Sequence, residues 1–452
     1  MAPVKLVVRG GRALSGRVRV HGAKNAVLPI IAAAVLTDGV STITSVPDIG
    51  DVRTAVDVIT SLGLGASFHG STLTLRAGDL GSCEAPYELV QRMRASFLVA
   101  GPVLARLGRV RISLPGGCLL GSRPVDLHIK GLEALGASVR IESGVVEATA
   151  DRLVGQRIYL DYPSVGATEH LLMTACLAEG TTVIENAAEE PEIVDLATFL
   201  NSAGASVHGA GTKVIRVEGV RSLHGVRHQV IPDRIEAGTF MVAAAITRGR
   251  VTVEGVVPDH LTAVIAKLRE VGVTVEEHDS SVTVDARGAD LRASNLKTMP
   301  YPGFPTDLQP QFTALLTLAR GLSVVTETVF DNRFIFVPEL RRLGAQVQAE
   351  GRTAMVVGVP ALEGAPVTAP DLRAGAALVL AGLAARGTTE IEGVRHIDRG
   401  YQDLDSRLRQ LGAEVYRVGE VEGVPAERPA DLGEAAATLD QVNPPPVHGP
   451  AS

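Results

Sequence analysis

The chain has 452 residues, of which 46% are hydrophobic and 21% charged, a globular composition with room for two or three domains. A net charge of −7 excludes a general attraction to nucleic acid, so an anionic ligand would need a local cluster of Arg and Lys. Three cysteines (Cys83, Cys118 and Cys176) give no disulfide framework, no apolar run approaches the ~20 residues of a membrane span, and the N-terminal stretch lacks a signal-peptide core, so a cytoplasmic protein is expected.

Taken in chain order, the elements repeat. An Ala-rich helix such as LPIIAAAVLTD ends at a glycine, and a run of β-formers follows. A loop with Pro and Asp leads to a second, amphipathic helix, again closed by glycine, and one or two strands complete the unit. The glycine that opens the β-branched run recurs at Gly39, Gly108, Gly180, Gly249, Gly321 and Gly387; the glycine after the second helix recurs at Gly63, Gly136, Gly204, Gly272, Gly344 and Gly412. Two markers keeping one period of about seventy residues define six β-α-β-α-β-β units and an α/β fold. The first helix of each unit is apolar on nearly all faces, as in AGTFMVAAAITR, and should be buried; the second, as in HLTAVIAKLREVG, should keep one face in water.

Three units per globule give two globules. One is expected to combine residues 1–22 with 231–424, the N-terminal strand joining units four to six; the other spans 23–230. The chain should cross between them near 20–23 and 229–232. From Pro425 the composition turns to Pro and Ala, and 425–452 reads as a disordered tail.

The starts of the buried helices are unusual. Ser164, Asp233, Thr306 and Asp371 are ordinary caps, but Lys24, Arg94, Arg234 and Arg373 put cations in first turns, against the helix dipole. Each cation pairing with a nearby carboxylate is one account. The recurrence at four related positions favours another, in which backbone N–H groups and cations converge on a phosphate or carboxylate. The loop LPGGCLLGSRPVDLH sets Cys118 near Arg123, a neighbour that lowers a thiol's pKa, whereas Cys176 lies inside an apolar helix and reads as a packed core thiol. The 11 His form no metal signature, and no Walker loop, dinucleotide fingerprint or nucleophile elbow occurs, which leaves cofactor-free group transfer.

The motifs GAKNAVLP, RMRASFLVAGP, LPGGCLLGSRPVDLH, PSVGATE, EPEIVDL, IPDRIEAGTF, PGFPTDLQ, TETVFDNRF, DLRAGAALVLAGL and HIDRGY, in this order from about Val7 to Val418, resemble the UDP-N-acetylglucosamine (UDP-GlcNAc) 1-carboxyvinyltransferase family. That resemblance implies two inside-out α/β barrels of three units each. It implies transfer of the carboxyvinyl group of phosphoenolpyruvate to the 3-hydroxyl of UDP-GlcNAc, with release of phosphate, at the first committed step of peptidoglycan synthesis. No cofactor, metal, nucleic acid or membrane partner is implied. By the same likeness Lys24, Arg94, Arg123, Arg373 and Arg399 bind phosphoenolpyruvate, with Lys24 and Arg399 also counted as catalytic. Cys118 handles the proton at carbon 3 and is the target of fosfomycin. Asp307 serves as base or orienting acceptor for the sugar hydroxyl. Asn25, Arg94, Arg123, Pro124, Val125, Asp126 and Leu127, with Ser164, Val165, Gly166, Asp307 and Val329, hold UDP-GlcNAc. Binding residues spread over both globules predict closure on the nucleotide sugar.

Two positions depart from the family pattern: Ile335-Phe336 stand where Met-His is usual, and Asp331 where Glu is common. They motivate an alternative, a paralogue acting on another nucleotide such as uridine monophosphate.

Overall fold

The computed structural model describes residues 4–116 and 125–419. Where the sequence is apolar on every face, the helices are buried on every face: Ala26–Ala33 in the helix Lys24–Ala33, Ile235–Ile246 in Arg234–Ile246, and Arg373–Leu383 in Leu372–Ala384. Two units differ from the expectation of a plain α-helix. There the buried helix opens as a 3₁₀ turn, Arg94–Val99 before Ala100–Leu107 and Thr306–Leu308 before Gln309–Leu316. Glycine closes elements where the chain needs a left-handed residue, as at Gly108 (φ 68°) and Gly272 (φ 100°).

The described strands form six sheets. Unit three shows the plan. Arg157–Tyr159 runs parallel to Thr181–Glu185, which pairs antiparallel with Val214–Glu218, and Ser206–His208 lies at the far edge of that strand. The N-terminus supplies two missing strands. Ser15–Arg19 is the parallel neighbour of Arg250–Glu254, and Lys5–Arg9 fits between Thr388–Glu392 and Glu414–Val418. Arg227–Gln229 closes unit one by lying parallel to Thr42–Thr44 of the first sheet. Period-two burial, as in Arg250–Glu254, turns one face of each sheet onto the helices.

Buried apolar side chains gather into two clusters, one drawn from residues 6–18 and 235–415, the other from 23–230. Between them two strands of chain run side by side: Gly22 bridges Pro232, the Ala23 N–H donates to Ile231 O at 2.7 Å, and the Asp233 N–H donates to His21 O at 2.9 Å. Gly22 is required here by space, since a Cβ would lie 2.0 Å from Ser45 O. The segment 425–452, expected to be a tail, lies outside the described residues.

Candidate functional site

At the crossing, one carboxylate organises two helix starts. Asp233 caps its own helix, Oδ1 accepting from the Ile235 and Glu236 N–H groups at 2.8 and 2.9 Å. Its Oδ2 accepts from the Lys24 N–H at 3.1 Å, where Ala23 has no side chain to offer as a cap. Lys24 is thereby held at the junction of the two cores. Its ammonium reaches Asp51 Oδ2 at 2.8 Å, and the other oxygen of Asp51 accepts from Arg399 Nε, also at 2.8 Å. Burial alone would raise the Asp51 carboxyl, but Lys24 and Arg399 outweigh it and hold the group below the ordinary carboxylate range.

Asp307 is the second focus. It lies in the 3₁₀ turn Thr306–Leu308, and its Oδ2 accepts from Arg373 Nη2 at 2.9 Å, Arg373 Nε at 3.2 Å and Asn25 Nδ2 at 3.3 Å. Arg333, fully buried, reaches Oδ1 at 3.4 Å and Thr306 O at 3.1 Å. Burial again pushes the carboxyl up; Arg373, then Arg333 and Lys24, drive it far below the usual range. Arg373 is itself set by Asp371, which caps the helix Leu372–Ala384 through the Arg373 and Ala374 N–H groups at 2.7 and 3.0 Å.

The structure thus brings Lys24, Asn25, Asp307, Arg373 and Arg399 to one junction. A third region lies in the 23–230 core. Val125 precedes the helix Asp126–Ala134, and Ser164 caps the helix Val165–Ala175, its Oγ accepting from the Ala167 N–H at 3.3 Å. His128 joins these starts: a Cβ on Gly166 would lie 3.5 Å from its ring, and the ring stands 5.0 Å from that of His170. Val125, Asp126 and Leu127 are in this way set beside Ser164, Val165 and Gly166. Arg94 opens the turn Arg94–Val99, close enough for its charge to help depress His128, after burial and His170. Val329 is held by its N–H, which donates to Glu327 Oε1 at 2.7 Å. Cys118, Arg123 and Pro124 lie outside the described residues.

Among the first-turn cations, Lys24 pairs with Asp51, Arg373 with Asp307, and Arg234 with Glu192 at 2.9 Å. Arg234 is turned to Glu192 and to the ring of Tyr301, 5.5 Å away. Arg234 is thereby engaged away from Lys24 and Arg373, which meet at the junction. A buried guanidinium without a counter-ion costs several kcal/mol, and a carboxylate supplies one in each case. Asp51 and Glu327 were missed in the sequence. Asp51 belongs to no local pattern that separates it from a surface acid, and Glu327, although inside the motif TETVFDNRF, looks like an ordinary strand-end acid there.

The departures also find physical accounts. Phe336 is fully buried, its ring 6.4 Å from that of Phe334, so it packs the core. Asp331 pairs with Arg352 where both side chains are about half exposed. Cys176 is buried, its Sγ 3.2 Å from Leu172 O, and burial pushes the thiol up to about 12. Among the described residues no group of three or more His, Cys, Asp or Glu could hold a metal, and no helix is long and apolar enough to cross a membrane.

Six sheets around buried helices, with cations from both cores at their junction, define the enolpyruvyl transferase fold. The family model described as EPSP synthase (3-phosphoshikimate 1-carboxyvinyltransferase) matches residues 8–418. The enolpyruvyl transferase NikO from Streptomyces tendae superposes with a TM-score of 0.84 at 29% identity, covering 92% of this chain and 99% of that one. An EPSP synthase from Acinetobacter baumannii, 20% identical, shares the fold at a TM-score of 0.71 over 92% of this chain and 100% of its own. Sequence identity is far higher to UDP-N-acetylglucosamine 1-carboxyvinyltransferase 2 of Carboxydothermus hydrogenoformans: 57% over 92% of this chain and 100% of the relative. UDP-N-acetylglucosamine 1-carboxyvinyltransferase 1 of Halalkalibacterium halodurans is 56% identical over 92% and 95%. The chain belongs to the UDP-N-acetylglucosamine 1-carboxyvinyltransferase family.

Proposed function

We propose that this chain transfers the carboxyvinyl group of phosphoenolpyruvate to the 3-hydroxyl of UDP-GlcNAc, releasing phosphate, in the cytoplasm. Near-complete alignment with relatives of that name at 55–57% identity supports the acceptor. The observation that carries the site is the junction itself, where Asn25 and Lys24 of one core meet Asp307, Arg373 and Arg399 of the other. We assign the globules as 1–22 plus 231–424 and 23–230.

In the addition step the sugar oxygen bonds to carbon 2 of phosphoenolpyruvate as its hydroxyl proton is released, and the carbon–carbon double bond takes up a proton at carbon 3, giving a tetrahedral phospho-ketal. In the elimination step a proton leaves carbon 3, the bond from carbon 2 to the phosphate oxygen breaks, and phosphate departs. Cys118 is assigned the proton at carbon 3. Lys24, Arg94, Arg123, Arg373 and Arg399 are assigned the phosphate and carboxylate, where several cations offset the charge that a single one would leave exposed. The nucleotide sugar is assigned to Asn25, Arg123–Leu127, Ser164–Gly166 and Val329. Asp307 was open between base and orienting acceptor. A carboxylate held far below its ordinary range by two guanidinium groups is a poor proton acceptor, so we assign it to orienting the sugar hydroxyl.

Contacts across the junction support closure as part of the cycle: Asp51 with Arg399, the Asp48 N–H with Gln402 at 2.9 Å, and the Tyr301 N–H with Glu190 at 3.2 Å. Small-angle scattering should show a smaller radius with UDP-GlcNAc bound, and identical profiles would count against closure. Phosphate release from phosphoenolpyruvate is the direct test of function. Release with UDP-GlcNAc and loss of activity on fosfomycin treatment, with an adduct at Cys118, are expected. Release with uridine monophosphate but not UDP-GlcNAc would overturn the reading.

A further inference from the structure

The turn that carries Val329 and the turn that carries Asp307 are fastened to the same buried side chain. Glu327 follows the strand Leu322–Thr326 and is almost wholly buried. Its Oε1 accepts from the Val329 N–H at 2.7 Å, the Phe330 N–H at 3.2 Å and Thr298 Oγ1 at 2.8 Å. Its Oε2 accepts from Thr306 Oγ1 at 2.9 Å. The Thr298 hydroxyl also accepts from the Thr328 N–H at 2.9 Å, and Thr328 Oγ1 donates to Thr298 O at 2.6 Å. One carboxylate therefore closes both ends of the segment 298–306 and the turn 327–330.

What hangs from these fastenings is the proposed chemistry. The segment 298–306 runs directly into Asp307, and its tip sends the Tyr301 N–H to Glu190 in the other core. We infer that Glu327 is a positioning residue for the transfer: it sets Asp307 against the sugar hydroxyl, Val329 against the sugar ring, and Tyr301 against the opposite core. Four donors converge on its two oxygens, as an ionised carboxylate allows and a neutral amide does not. This inference rests on the acceptor being the sugar of UDP-GlcNAc.

The test is steady-state kinetics on the full chain with Glu327→Gln and Glu327→Ala, each alone and combined with Asp307→Asn. Glutamine keeps one acceptor oxygen, and the Thr306 hydroxyl turns to accept from its amide, so the fold should survive with a melting temperature close to that of the unmodified chain. A loss of about tenfold in kcat is expected for Glu327→Gln and about a hundredfold for Glu327→Ala, since small misplacements of reacting groups carry losses of that order. Val329 and Tyr301 bear on sugar binding, so their share of the effect should fall on KM; the share in kcat passes through Asp307, and Glu327→Gln should change kcat less than about twofold once Asp307→Asn is present. A fold-loss that multiplies in full with that of Asp307→Asn, or a Glu327→Ala variant with unchanged kcat, would overturn the role. An unmodified chain inactive with UDP-GlcNAc would sink the underlying reading, a result separable from either of these because it appears before any substitution.

Discussion

Asp51 and Asp307 both stand at the junction of the two cores, and both are bracketed by cations, yet they differ in reach. Asp51 is buried at 3% side-chain exposure and spends its two oxygens on one cation from each core, Lys24 and Arg399. Asp307 keeps 24% of its side chain exposed and draws both of its hydrogen-bonded cations, Arg373 and Arg333, from its own core; from the other it takes one hydrogen bond, from the neutral amide of Asn25, while Lys24 acts on it through charge alone. The first is arranged as a counter-ion that ties the cores together. The second is a carboxylate held mainly by its own core with part of its surface left exposed, as the proposed orienting of a substrate hydroxyl requires. A strongly depressed pKa marks Asp307, and by itself that shift would not have separated the two roles. Exposure and the origin of the partners do.

Substitutions should pull these roles apart. The largest effect is expected for Asp307→Ala, a fall in kcat of about a hundredfold or more with phosphoenolpyruvate and UDP-GlcNAc. If turnover changed less than about threefold, Asp307 would not be the orienting acceptor. For Asp51→Ala the larger signature should be stability. Lys24, only 11% exposed, loses its partner, and breaking such a buried pair costs about 3–5 kcal/mol. The lower end applies because Arg399, at 40% exposure, can turn to water. Urea unfolding midpoints read this out, and an unchanged midpoint would mean that Asp51 is no tie between the cores.

A contrast with both carboxylates is the histidine pair of the 23–230 core, where burial acts with no counter-ion to oppose it. His170 is fully buried and held down to about 3 by that burial, against ~6.5 in an unfolded chain. Its folded form is neutral, so the stability it contributes is full above about pH 6.5 and is lost as pH falls toward 3, at about 1.4 kcal/mol per unit. Glu169 and Glu190, raised by burial, act in the opposite direction on acidification. The useful measurement is therefore the difference between the unmodified chain and His170→Leu. Between pH 6.5 and 5 the variant should lose about 2 kcal/mol less. Parallel acid limbs would show that His170 is not buried in its neutral form.

The smallest effect concerns Phe336. Restoring histidine by Phe336→His buries a polar ring in the packed core and should cost about 1–3 kcal/mol, while KM for UDP-GlcNAc stays within about twofold. A tenfold change in KM would place position 336 in the substrate pocket after all.

Much of the architecture could be read before any coordinates. The glycine markers, the all-apolar helices and the alternating strands are local patterns with periods of 3.6 and 2, and local backbone physics enforces them. They determined the six units and the α/β class, and the motif order pointed to the family. The junction was legible only in part. Lys24 and Arg373 stood out as cations in the wrong helix turn, but their partners did not. Asp51 lies 348 residues from Arg399, and Asn25 lies 282 from Asp307. Phe336, read from the sequence as a hint of altered specificity, lies buried in the core beside Phe334. Which carboxylate neutralises which cation follows from burial. Taking a charge out of water demands a partner at about 3 Å, wherever in the chain that partner stands. Only the folded chain, with its N-terminal strands carried into the far half and its two crossings laid side by side, brings those partners together.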